Sequence, residues 1–380
     1  MLDRSAPDCE PVLGLPHASA PLSVPLTVPA ARIAGVAVHL PARVVPVLEA
    51  ERRLAERNPG VVPPPGIVGR MTGVRAVHVA PDDWQASDLA VAATRSLMAE
   101  QGLAARDVDL LLFTSASQDM VEPATSHIVA ASLGLTCPVM DVKNACNSVL
   151  NGLEVAEALI GTGRYDTVLV VSGEMPSRAV RWDVPDRAAY LRSAPGYTMS
   201  DGGAALLLRA TVASRWHGPD AAPRAVAPGR FPAGILSAAF SAASQHWDVG
   251  TLPGGGTRHP RDPDRTYFDI DGGRLREAFL ALGPGTVLDA LARAGVTWDD
   301  VALVAVHQVA VTYLQDVHRA LGLPAERTLM TVEEHGNLAS VTLPLQLDLA
   351  MRSGRVGAGD VVVLVGLAGG ISIGAMVVRL

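Results

Sequence analysis

The 380-residue sequence is poor in the residues that mark several whole classes of protein. Its three cysteines, Cys9, Cys137 and Cys146, are too few for a disulfide scaffold, and their spacing fits no metal site. Aromatic residues make up only 4%, which leaves no platform for stacking nucleic-acid bases. Lys143 is the sole lysine, and a net charge of −7 removes the basic footprint that a general nucleic-acid binder needs. Charged residues reach 18% against 49% hydrophobic, a balance that excludes a disordered, solvating chain. The N-terminus shows no basic stretch followed by an apolar run and does not read as a signal peptide. What is left is a cytoplasmic, reduced, globular protein with a large core. Its length suits two domains, or two halves sharing one core.

Residues 361–378, VVVLVGLAGGISIGAMVV, approach the length of a membrane span without a charge. Gly366, Gly369, Gly370 and Gly374 divide this run into VVVLVGL and SIGAMVVRL. These read as two buried strands joined by a glycine turn, so no membrane partner is expected.

Residues 1–31 are rich in proline and aperiodic, and read as a flexible leader. Beyond them, buried strand runs alternate with amphipathic helix patterns, which indicates an α/β fold. Ser87 and Asp88 are candidate caps for a helix running to Gly102, and VDLLLFTS after it is a strand. A helix is expected over 124–134, another from Cys146 to about Gly161, and a strand at DTVLVVSG. The second half repeats this order, with a helix at about 274–294, the strand VALVAVH, a helix at 311–321 and a further helix after Asn337. Three landmark pairs keep a nearly fixed offset: Val108 with Val301, Cys146 with Leu338, and Asp166 with Asp360. SDGGAALLLRA also echoes GISIGAMVVRL. An internal duplication accounts for this, with halves at 32–212 and 213–380.

Duplicated halves packed about a pseudo-two-fold axis bring the helix starts near Cys146 and Asn337 to one crevice. The strand ends at Ser115 and His307 belong there too, because open α/β sheets place ligands at strand carboxyl ends. Cys146 stands where an extended run gives way to a helix, a position that favours thiolate through the helix dipole. A buried structural cysteine is the competing reading, and the one adopted for Cys137 and Cys9. His307 closes a strand in the opposite half, while His335 reads as a loop residue packed under a turn. For Asn337, helix capping competes with catalysis, and the two are compatible.

The motifs NAC (144–146), HQ (307–308), HGN (335–337) and the terminal GLAGGISIGAMVVRL resemble the ketoacyl synthase III group of the thiolase superfamily. TGVR (72–75) and SDGGAALLL (200–208) are similar as well, and the likeness runs from about residue 32 to the end. The resemblance implies a thiolase-like, five-layered αβαβα fold, a homodimer and a Cys146–His307–Asn337 triad. It also implies an oxyanion hole formed by the N–H groups of Cys146 and Gly369. No tightly bound cofactor or metal is implied. Coenzyme A thioesters, or phosphopantetheine thioesters on an acyl carrier protein, are the expected substrates.

Several departures bear on the reaction. Leu367 stands in VGLAGG, a stretch in which the family usually carries a phenylalanine linked to malonyl decarboxylation. Ile67 and Met71 replace a Trp and Arg that grip coenzyme A, and Ala310 and Thr312 replace an Asn and Arg after HQ. Glu122, in DMVEPATSHIV, resembles the base of enzymes that join two acyl thioesters head to head in olefin and β-lactone pathways. There the carboxylate crosses a dimer interface, and Met120 and Val121 would give it an apolar setting. Capping or charging the 124–134 helix is its competing role. The leading expectation is a non-decarboxylative Claisen condensing enzyme of fatty-acid-derived or polyketide secondary metabolism, antibiotic biosynthesis included. The alternatives are an acyltransferase acting from a carrier protein onto an alcohol or amine, and decarboxylative chain initiation. Residues 177–200 and 213–272 are expected to frame the acyl pocket and entrance, where an arginine excess suits an acidic carrier protein.

Overall fold

The computed structural model describes residues 30–211 and 233–380. Residues 1–29 of the leader expected over 1–31, Cys9 and the expected boundary between halves at 212/213 lie outside them. Ala31, assigned to the leader, is already the first residue of a strand.

The chain begins with β1 (Ala31–His39) and then β2 (Val44–Pro46). Helices α1 (Val47–Arg57) and α2 (Ile67–Thr72) follow, and β3 (Ala76–His78) returns to pair with β2. Next come α3 (Ala86–Gln101), β4 (Leu110–Thr114), α4 (Thr125–Leu133), β5 (Val139–Val142), α5 (Ser148–Gly161) and β6 (Thr167–Glu174). After α6 (Arg187–Ser193), β7 (Gly202–Ala210) completes the first sheet. The second run contains β8 (Gly234–Ala242) and the short pair β9 (Gly250–Thr251) and β10 (Asp269–Ile270). It continues with α7 (Gly272–Leu280), α8 (Gly285–Ala294), β11 (Val301–Val306) and α9 (Val311–Leu321). The chain closes with α10 (Val332–His335), α11 (Thr342–Arg352), β12 (Val361–Ala368) and β13 (Ser372–Arg379).

One sheet has the order β1-β7-β6-β4-β5 and the other β8-β13-β12-β11. Directions match as well: β4 is parallel to β6 as β11 is to β12, and the remaining shared pairs are antiparallel. The place of β5 is taken by a single bridge between Val304 and Thr328. Val108 and Val301 each follow a one-turn helix, and Asp166 and Asp360 each precede the next strand by one residue, so these two landmark pairs are structural equivalents. The third is off by two. Ala145 and Ala339 share a left-handed conformation, and α5 and α11 begin three residues after them, so Cys146 matches Ser340 rather than Leu338.

Strands such as LLLFT and VVVLVGLA are buried at every position because both faces of each sheet are covered. Leu110, Leu112, Val168, Val170, Leu303, Val362 and Leu364 point inward, onto Val149, Leu150 and Leu153 of α5 and Leu343 and Leu347 of α11. The alternate residues face outward: Leu111, Phe113 and Leu169 pack under α3 and α4, and Val304, Val363 and Val365 under α8 and α9. Helix, sheet, helix pair, sheet, helix is the five-layered αβαβα thiolase-like fold. The glycine-divided run at the C-terminus is the antiparallel pair β12–β13, and no helix among the described residues is long and apolar enough to cross a membrane.

Smaller expectations need correction. The helix expected at 274–294 is two, α7 and α8, because Gly283 turns left-handed and Pro284 follows it. In α3 Ser87 lies inside the first turn, and Asp88 supplies the cap by accepting from Gln85 N at 2.7 Å.

Candidate active site

Between β5 and α5 the chain makes one tight turn. Asn147 N donates to Asn144 O at 2.9 Å, and Ser148 Oγ donates to Ala145 O at 2.7 Å while accepting from Asn144 N at 2.9 Å. Ala145 sits at φ 43. This turn holds Cys146 two residues ahead of α5, partly exposed. The expected pull of the helix dipole toward thiolate is opposed here. Burial, and then the negative charge of Glu174, push the Cys146 thiol up to about 12, while its own backbone N–H pulls weakly the other way. Cys137, half-buried against the outer core under α3 and α4, has the structural surroundings expected of it.

The equivalent turn in the second run carries Asn337. Its N donates to Thr198 O at 2.8 Å, its O accepts from Ser200 N at 2.9 Å, and its Oδ1 accepts from Ala339 N at 2.9 Å. The side chain therefore closes a local turn ahead of Ala339–Val341 instead of capping α11, which starts at Thr342. Its Nδ2 has no partner among the described residues and is the donor end. TGVR and SDGG brace this loop. Arg75 N donates to Glu333 O, and the Arg75 side chain pairs with Glu333 at 2.6 Å and Glu334 at 3.1 Å. His335 Nδ1 meets His78 Nε2 at 3.0 Å; it packs as expected, but as the last residue of α10 and not from a loop.

His307 follows the last residue of β11, buried at 3% exposure, with its N held by Val365 O at 2.8 Å. Burial lowers its pKa to about 4, so the ring is neutral at physiological pH, and Nδ1 has no partner among the described residues. Gln308 locks the strand end by donating to Leu329 O and accepting from Thr331 N and Val332 N, the entry to the Asn337 loop. Behind it, Gln346 of α11 accepts from Val306 N.

Gly369 and Gly370 form the β12–β13 turn, completed by Ile371 at φ 53. Asn144 and Asn147 both donate to Ser372 Oγ, joining the Cys146 turn to this one. Ala145, Ala339 and Ile371 are the three non-glycine residues of positive φ among the described residues. Each lies within two positions of Cys146, Asn337 or Gly369. Such backbone strain gathers where a site over-determines its geometry.

Leu367 does not stand beside this crevice. On neighbouring Gly366 a Cβ would overlap Asn147 Oδ1, so that position faces α5 and Leu367 faces the opposite way, into the outer core with Val363 and Val365. Thr312, another departure, donates to Met71 O at 2.9 Å, so two of the replaced positions touch each other.

Glu122 is exposed, as are Met120 and Val121 at 49% and 67%, so a single chain supplies no apolar setting for the carboxylate. Nor does it cap α4. The first N–H groups of that helix, Thr125 and Ser126, donate to Asp141.

Sequence reasoning missed Glu174 and Ser340. Glu174 ends β6 with 1% exposure and accepts from Ala116 N, Ser117 N, Ser117 Oγ and the buried Ser340 Oγ. The strand-end rule applied to His307 points equally to Glu174, and an offset of 194 from Cys146 points to Ser340. Residues of the 177–200 segment line a cavity of about 260 Å³ with Val45, Val77, Tyr197 and Met199 on its walls. Of the described arginines in the later segment, Arg265 pairs with Asp262 and Arg258 lies over the Trp247 ring; just beyond it Arg274 pairs with Asp248 and Arg276 with Asp316.

Comparison with known proteins follows the same line. The family described as 3-oxoacyl-[acyl-carrier-protein (ACP)] synthase III matches residues 140–219, and its C-terminal counterpart matches 291–380. β-Ketoacyl-[acyl-carrier-protein] synthase III of Rhodospirillum centenum is 31% identical over 352 residues, covering 91% of this chain and 98% of the relative. The Dinoroseobacter shibae protein of the same name is 30% identical over 348 residues, with the same coverage. In fold the chain is similar to OleA of Xanthomonas campestris, in the form of a histidine-to-alanine variant, at TM-score 0.79 and 23% identity over 93% of this chain and 99% of that one. A cysteine-to-serine variant of OleA with bound lauric acid and lauroyl-CoA superposes at TM-score 0.78 and 24% identity, over 92% and 99%.

Proposed function

The chain belongs to the β-ketoacyl-[acyl-carrier-protein] synthase III family of the thiolase superfamily, and from that premise we propose that it joins two acyl thioesters by a Claisen condensation without decarboxylation. Cys146 attacks the first thioester, its sulfur takes the acyl group, and the donor thiol leaves with the proton. The N–H groups of Cys146 and Gly369 stabilise the oxyanion formed on the way. The second thioester loses its α-proton to Glu122 of a second copy of the chain. His307, neutral, and Asn337, through its free Nδ2, donate to the carbonyl oxygen that becomes the enolate. Attack of that enolate on acyl-Cys146 forms the carbon–carbon bond and breaks the sulfur–acyl bond, and the proton held by Glu122 returns to the sulfur to restore the thiol. Coenzyme A or carrier-protein thioesters serve as substrates, and no tightly bound cofactor takes part. The products belong to fatty-acid-derived or polyketide metabolism.

One observation carries the choice of base. Glu122 lies on an exposed apolar ledge with Met120 and Val121, in the connection that leads from β4 through α4 to the edge strand β5, and β5 also presents Met140 at 41% exposure. An unpaired strand edge with apolar neighbours is a surface that a second copy covers, and covering it desolvates the carboxylate.

Purified protein given a single acyl thioester and no malonyl thioester is expected to yield a β-keto product of two acyl units. Cys146→Ala and Glu122→Gln are both expected to abolish it. An acyl adduct without coupled product, unchanged by Glu122→Gln, rejects the reading. Decarboxylative condensation is the second reading, because Leu367 faces away from the crevice and no longer counts against it. A product formed only when malonyl thioester is added establishes that one.

A further inference from the structure

Asn147 follows Cys146 directly and is fully buried. Its Nδ2 donates to Ser372 Oγ at 3.0 Å and to Ser372 O at 3.3 Å. A backbone carbonyl can only accept, so the second bond fixes which way the amide faces. Oδ1 is left buried without a partner among the described residues. An acceptor unmet in a core is costly, and an apolar side chain of the same shape would avoid that cost. The amide also occupies space that a side chain on Gly366 of β12 would take, since a Cβ there would overlap Asn147 Oδ1. Asn144 reaches the same hydroxyl at 3.5 Å, but its shorter bond, 2.8 Å, goes to Asn151 Oδ1 within α5. Asn147 is therefore the principal tie to Ser372.

Ser372 closes the turn in which Gly369 lies, paired with Ala368 across it. The tie thus joins the two turns that carry the Cys146 and Gly369 N–H groups. Each turn contains a non-glycine residue at positive φ, Ala145 at 43 and Ile371 at 53, a conformation that persists only where the surroundings hold it. We propose that Asn147 is a positioning residue of the oxyanion hole, a clamp whose bonds to Ser372 fix the separation of the Cys146 and Gly369 N–H groups. The proposal rests on the reading of Cys146 as the acyl carrier and of those two groups as the oxyanion donors. When Cys146 is acylated, its sulfur–carbon bond forms and the thioester oxygen takes up the negative charge. The charge then returns, the donor sulfur–carbon bond breaks, and the thiol proton leaves on the donor sulfur. Both N–H groups must face that one oxygen during the step, and a widened hole keeps only one of them in line.

Two rates on the same sulfur separate this role from a general loosening of the turn. Acylation by an acyl thioester, followed by mass spectrometry, passes through the oxyanion. Alkylation by iodoacetamide displaces iodide at a saturated carbon and does not. Loss of an oxyanion donor slows reaction about 100–1,000-fold, so Asn147→Ala, which displaces one, is expected to slow acylation by about tenfold. Alkylation of the same variant is expected to stay near the wild-type rate. Gly366→Ala, whose Cβ pushes the amide aside, is expected to slow acylation too, but to add little once Asn147 is alanine, a non-additivity that marks the shared contact. Ser372→Ala removes the hydroxyl and leaves the carbonyl, and slows acylation less than Asn147→Ala. A folded Asn147→Ala protein that is acylated at the wild-type rate, or in which acylation and alkylation fall together, overturns the proposal. If that variant does not fold, Ser372→Ala showing either pattern does so. A wild-type protein that forms no acyl adduct rejects instead the reading of Cys146 on which the clamp rests.

Discussion

At His307 burial and chemistry pull in the same direction. The ring is surrounded by protein and uncharged, with a pKa near 4 against an ordinary 6.5. An unfolded chain takes up a proton below pH 6.5 that the folded chain refuses until about pH 4. Stability contributed by this residue is therefore complete above 6.5 and lost as the pH falls to 4, on the order of 3 kcal/mol. Thermal melts of wild type and His307→Asn between these limits check this, since the acid-side slope of the wild type is expected to flatten in the variant. Cys146 illustrates how far a single residue can be read from sequence. Its place before a helix was legible in NACNS, because local chain direction is encoded locally. The raised thiol pKa was not legible, because it depends first on burial in the folded chain and then on Glu174, which arrives 28 residues later through a strand and a sheet.

At the scale of elements, α3 lies so close on the first sheet that its backbone touches the strands beneath. A Cβ on Gly203 of β7 would strike Leu89 O, and one on Gly173 of β6 would strike Ala86 O. Gly203→Ala is expected to destabilise by at least about 2 kcal/mol, in line with overpacking of a close-packed core. Gly357→Ala, with open space around its Cβ and ordinary φ, is the neutral control, and chemical denaturation of both variants measures the difference. Most elements were visible as runs and periods: β4, β6, α9, β12 and the apolar face of α5 all fall where the pattern placed them. The misses share a cause. The break between α7 and α8, the capping of α4 by Asp141 and the outward face of Leu367 are each set by tertiary partners or by one turn residue, not by periodicity.

At the scale of the molecule, the duplication was legible because two landmark pairs kept step and a third missed by only two residues, and the structure shows two sheets of one order to explain it. What one sequence could not display is which edge stays open. Among the described residues β5 is paired only with β4, and it carries the exposed Met140. Met140→Asp is expected to shift the protein from dimer toward monomer in sedimentation at low micromolar concentration. Condensing activity should fall with it, because each site then lacks the Glu122 of its partner. A wild type that sediments as a monomer while fully active removes both the dimer and the shared base.

The order of strands in the second sheet also has a temporal meaning. β12 and β13 follow β8 and β11 in the chain, yet they lie between them in the sheet. During synthesis the ribosome therefore releases both outer strands before either can be joined, and the turn holding Gly369 emerges just ahead of β13. A nascent chain lacking these residues leaves the edges of β8 and β11 unpaired and its apolar surface exposed. This sheet is completed from its centre, and the crevice closes in the same late step.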